Sequence, residues 1–115
     1  MKKLMFFVSV IAMLFLLSYC SSSKRASAKR PLLTYDANLA LVINENCVPC
    51  HIPAKGGNKK PFNTYEAVRI DIDEMIRRIS LNPGDKGYMP FKRPKLADSV
   101  INIFKQWKED GLRER

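Results

Sequence analysis

Three stretches of the chain repeat their apolar residues at the spacing of a helix face, and a fourth is apolar throughout. In the first, Tyr35, Leu39, Val42 and Ile43 recur at 3.6-type intervals behind Thr34 or Asp36, either of which can cap, and the run leads into Cys47. In the second, Val68, Ile72, Met75, Ile76 and Ile79 form one stripe. Asn63 or Thr64 stands at its start, with Glu66 three places after Asn63, and Asn82-Pro83-Gly84 stops it. The third runs from about Ala97 to Asp110, with Val100, Ile103, Phe104 and Trp107 on one face and Gly111 as its stop. No segment alternates as a strand would. Between the helices lie HIPAKGGNKKPF and GDKGYMPFKRPK, loops rich in Gly, Pro and Lys. The pattern predicts an all-α domain over residues 32–115, small enough to need a staple such as disulfides, a metal or a cofactor.

The fourth stretch is of another kind. Lys2 and Lys3 precede LMFFVSVIAMLFLL, an apolar run of fourteen residues that suits a secretory signal better than a membrane-spanning helix. It ends in Leu-Ser-Tyr-Cys, residues 17–20, which resembles a bacterial lipoprotein signal, with Tyr19 where a small residue is usual. The resemblance implies a signal peptide over residues 1–19, lipidation of Cys20, and export to a membrane facing the periplasm or the cell surface. The next stretch, SSSKRASAKRP, has no hydrophobic period and is expected to form a flexible tether through residue 31.

This division changes the meaning of the charge. The chain carries twenty Lys and Arg against eleven Asp and Glu, a formal net of +9. Lys2, Lys3, Lys24, Arg25, Lys29 and Arg30 supply six of the twenty and no acid accompanies them. That leaves fourteen bases against eleven acids, or +3, for residues 31–115. The excess belongs to the signal and tether, where it favours membrane orientation and contact with anionic headgroups. Nucleic acid is not an expected partner.

Candidate chemistry is concentrated in Cys47-Val-Pro-Cys50-His51, which includes the chain's one histidine. A thiol–disulfide centre would fit the spacing and an exported location, but a thioredoxin-like framework needs strands. A structural zinc site wants a second ligand pair, and no other Cys or His follows Cys20 outside the motif. A plain disulfide would leave His51 a bystander. Haem attachment uses all three residues: Cys47 and Cys50 as thioether donors and His51 as iron ligand. It also closes the count of three cysteines, with Cys20 taken by lipid.

With the helix before Cys47, Tyr88-Met89-Pro90 in the second loop and a last helix carrying Phe104 and Trp107, the chain resembles the cytochrome c superfamily. Asn-Thr-Tyr-Glu-Ala-Val and Ile-Phe-Lys-Gln-Trp-Lys-Glu-Asp-Gly are similar to pieces of its small bacterial monohaem domains. The resemblance spans about residues 34–111, with Phe91 where many such domains have a second proline. It implies a helical fold around covalent haem c, with iron held by His51 and Met89. It also implies single-electron transfer between protein partners rather than enzymatic turnover.

A thioether as second axial ligand implies a comparatively high potential. Met75, on the apolar stripe, reads as core filler. Phe62, Tyr65, Tyr88, Phe91, Phe104 and Trp107 are candidates to wall the haem crevice, with Tyr88 alternatively near a propionate. Lys55, Lys59, Lys60, Lys86, Lys92, Arg93 and Lys95 are candidates to steer an acidic redox partner. The alternatives kept are a haem-based ligand sensor, an accessory haem subunit of a larger redox complex, and a thiol–disulfide oxidoreductase.

Overall fold

The structure is a computed structural model that describes residues 30–115; the expected signal peptide, Cys20 and most of the tether lie outside the described residues. Helix α1 starts at Thr34, whose Oγ1 accepts the Ala37 N–H at 3.3 Å while Asn38 Oδ1 accepts the Thr34 N–H at 2.9 Å. Two donors are thus satisfied reciprocally at the helix start. The first turn of α1, Tyr35–Leu39, is π-helical, and Ala40–Asn46 continue it as α-helix up to Cys47. Thr34 is therefore the cap, and Asp36 lies within the first turn, where it pairs with Arg115.

Helix α2 spans Tyr65–Ser80 and is capped by Thr64, whose Oγ1 accepts the Ala67 N–H at 3.3 Å. Glu66 does not reach back to Asn63; it pairs instead with Arg69, one turn along, at 2.6 Å. The helix ends as Leu81 turns extended, ahead of Asn82-Pro83-Gly84. Helix α3 spans Asp98–Glu109. Its end is a Schellman motif: Gly111 (φ 88°) donates to the Lys108 carbonyl at 3.2 Å and Leu112 to the Trp107 carbonyl at 3.0 Å. A 3-10 turn, Pro53–Lys55, is the one other regular element, and no strand occurs among the described residues. The domain is all-α.

Pro31–Arg115 form one compact unit. Helix α3 packs against both α2 and the first turn of α1. Its core joins Leu39 and Ile43 of α1, Val68, Ile72, Met75 and Ile79 of α2, and Ile101, Phe104 and Trp107 of α3, with Tyr35 and Ile52. Each such side chain contributes roughly 1.5–3 kcal/mol when fully buried. The buried face of α3 is rotated from the expected one: Ile101 is buried, whereas Val100 and Ile103 are only partly so. Ile76 likewise sits at the edge of the α2 stripe.

The C-terminal tail closes the far end of α1. Carbonyls of Arg113 and Glu114 accept the Tyr35 and Asp36 N–H groups at 2.9 and 3.1 Å. Arg113 O also accepts the Trp107 indole N–H at 2.7 Å, and Leu112 O the Tyr65 hydroxyl at 2.9 Å. Tyr35, Tyr65 and Trp107 meet there, with ring centroids 5.9–6.4 Å apart. No helix among the described residues is long and apolar enough to cross a membrane.

Candidate functional site

The end of α1 passes directly into a tight turn. Cys47 N–H donates to the Ile43 carbonyl at 2.8 Å, His51 N–H to Cys47 O at 3.0 Å and Ile52 N–H to Pro49 O at 3.0 Å. The loop after the turn folds back along it. Lys59 N–H donates to Cys50 O at 3.0 Å, and Phe62 N–H to His51 O at 2.9 Å. Between these bonds His51 Nδ1 lies 2.7 Å from the Lys60 carbonyl oxygen. A carbonyl only accepts, so Nδ1 carries a proton in this contact, and in the neutral ring the lone pair then lies on Nε2. The Phe62 ring stacks on the imidazole, with centroids 4.5 Å apart and planes 14° from parallel.

Beside this turn is a cavity of about 520 Å³, within the range of roughly 300–1,000 Å³ usual for small-molecule and cofactor sites. Cys47, Cys50 and His51 line it, and so does Met89, carried by the second loop beyond α2. Val48, Phe62, Met75, Ile79, Leu96 and Phe104 supply apolar wall. Met75 is thus both core residue and cavity wall. Of the six aromatic candidates, Phe62, Phe91 and Phe104 line the cavity. Tyr65 and Trp107 belong to the cluster at the tail, and Tyr88 is buried with its hydroxyl donating to the Arg93 carbonyl at 3.0 Å. The polar atoms of these three are all bonded to backbone carbonyls.

The thiols are unbridged. Burial pushes the Cys47 thiol up to about 11, with Arg93 opposing weakly. Charged groups hold the rim. Lys60 pairs with Asp71 and Arg78 approaches Glu74 at 3.9 Å, while Arg93 Nη1 donates to the Asn46 carbonyl at 3.3 Å. Asp71, Glu74 and Arg78 had no signal in the sequence beyond lying on the polar side of a helix. Among the expected steering residues, Lys92 lies over the Phe91 ring at 5.3 Å and Lys95 Nζ reaches Ser80 O and Asn82 Oδ1, both at 3.2 Å. Lys55, Lys59 and Lys86 are exposed.

Among the described residues no three His, Cys, Asp or Glu side chains converge as a metal-binding cluster. Cys47, Cys50 and His51 reach the cavity from one turn and Met89 from the loop beyond α2. No protein-family model, no curated protein and no solved structure matches the chain.

Proposed function

We propose that residues 32–115 are a cytochrome c-like domain that carries one covalent haem c and transfers single electrons. The observation that carries this reading is that Cys47, Cys50, His51 and Met89, supplied by loops on either side of α2, line one apolar cavity of cofactor size. Cys47 and Cys50 would hold the macrocycle through thioethers. His51 would offer Nε2 to the iron, with Nδ1 engaged by the Lys60 carbonyl, and Met89 would offer its thioether. When bound, the haem supplies reversible one-electron chemistry. The chain's own residues would hold it, exclude water through Phe62 and Phe104, and tune it through His51 and Met89.

The raised Cys47 thiol favours this reading over a thiol–disulfide oxidoreductase, whose attacking cysteine works as a thiolate of lowered pKa. The domain is proposed as a carrier, not an enzyme, serving redox protein partners. Its proposed setting is the exported side of a membrane, where Cys20 would bear the lipid anchor. Expression in a host with cytochrome maturation machinery tests the proposal. The product should be red, keep its pigment through acid-acetone extraction, and yield a pyridine haemochrome spectrum of a thioether-linked haem. A colourless, compact product overturns the reading.

A further inference from the structure

The glycine pair Gly56-Gly57 occupies two different environments. At Gly56 the backbone is left-handed (φ 84°) and nothing lies within 4 Å of an added Cβ. At Gly57 a Cβ would fall 2.3 Å from Pro49 O and 2.6 Å from Cys50 O, closer than any side chain can sit to a carbonyl oxygen. Gly57 is therefore pressed on the backbone of the turn that carries both cysteines and His51. Its N–H donates to Ile52 O at 3.1 Å, fixing where the next residues begin.

The course of residues 58–62 depends on that approach. Lys59 N–H, Lys60 O and Phe62 N–H then meet Cys50 O, His51 Nδ1 and His51 O in succession, and the Phe62 ring lies on the imidazole. A side chain at position 57 meets two backbone carbonyls that cannot rotate aside, so the segment must lift as a whole. We propose that Gly57 is a positioning residue that clamps residues 57–62 over His51, with the Lys60 carbonyl and the Phe62 ring as its points of contact, and so sets the donor strength of the imidazole. The inference rests on the reading of His51 as an iron ligand. A shorter hydrogen bond from Nδ1–H to the Lys60 carbonyl makes the ring a stronger donor and favours oxidised iron; lifting the clamp moves the potential upward.

Gly56 and Gly57 together make a controlled experiment on the haem-loaded protein. Gly57→Ala, Gly56→Ala and Phe62→Leu are compared by redox titration, by NMR exchange of the His51 Nδ1 proton in the reduced state, and by haemochrome analysis. Gly57→Ala should raise the potential and speed ring-proton exchange roughly fivefold, as loss of one hydrogen bond predicts. Gly56→Ala, strained by its φ alone, should lower Tm while leaving both readings in place. Phe62→Leu, which keeps the backbone approach and removes the stacked ring, should also speed exchange, and it decides the matter if Gly57→Ala yields no loaded protein. Unmoved readings in Gly57→Ala or Phe62→Leu, or equal shifts in Gly56→Ala, overturn the positioning role. Absence of covalent haem from the unaltered protein overturns the reading of the cavity itself.

Discussion

Arg78 and Met89 hold each other's segments from both sides. The Arg78 carbonyl accepts the Met89 N–H at 3.2 Å, and the Arg78 side chain reaches forward to donate through Nε to the Gly87 carbonyl at 2.7 Å. The last turns of α2 thereby anchor the loop that brings Met89 to the cavity. A loop of Gly, Pro and Lys has little regular structure of its own, and this clasp, the buried Tyr88 with its hydroxyl bond to Arg93 O, and Lys95 bonded to Ser80 O all help to hold it.

Met89→Leu removes the thioether and keeps the apolar volume. On the proposed function, the haem should stay covalently attached, and the reduced variant should bind carbon monoxide where the unaltered protein should not. Met75 lines the same cavity from α2, so Met75→Leu is the matched variant and should remain unreactive. The reverse pattern in a carbon monoxide difference spectrum would assign the ligand to Met75.

The paired substitution Cys47→Ala, Cys50→Ala should abolish covalent pigment. A chain of this size buries little surface of its own, and the apolar walls of the cavity would then face water. Far-ultraviolet circular dichroism should show a large loss of cooperativity and helical signal. A sharp melt equal to that of the loaded protein would contradict this.

Packing on α3 separates neighbours that look alike in sequence. Ile101 is 3% exposed, and Ile101→Ala should cost about 2–4 kcal/mol. Ile103 is partly exposed, and Ile103→Ala should cost less than about 1.5 kcal/mol. In a domain this small the difference corresponds to several degrees of Tm, measurable by thermal denaturation.

Tyr35 is expected to make stability fall at alkaline pH. Burial first, and the neighbouring Asp36 carboxylate second, raise its phenol above the ordinary value of 10.0. The folded state thus favours the neutral form. Its contribution is fully present below the unfolded phenol's pKa and is lost as pH rises through the higher folded value. Denaturant titrations above pH 10 should show falling stability, and Tyr35→Phe should flatten that fall while leaving neutral-pH stability nearly unchanged.

Much of the helical architecture was legible along the chain. Thr34 and Thr64 stand before amphipathic runs, and a Thr hydroxyl there meets a local N–H whatever the rest of the molecule does. Gly111 stops α3 for an equally local reason, since a left-handed residue is needed to close the last turn. The proximity of Cys47, Cys50 and His51 was legible too, because it is a matter of a few bonds.

Other features came only with the assembled domain. Which face of α3 is buried, Ile101 rather than Val100 and Ile103, depends on the angle at which α2 and the start of α1 meet it. The parting of aromatics between cavity and tail depends on where the Leu112 and Arg113 carbonyls fall.

By itself, then, the order of residues determined the helices, narrowed each N-cap to a pair of neighbours, placed the stops, and grouped two thiols with an imidazole, because those arise from hydrogen bonds and spacings within a turn or two. Tertiary structure alone decided that the Lys60 carbonyl meets His51 Nδ1 and that Gly57 admits no side chain, and it brought Met89, expected from the resemblance alone, into the cavity of the two thiols and the imidazole. Such contacts join segments whose separation along the chain carries no local signal, and they exist only once the helices have packed and brought the loops between them face to face.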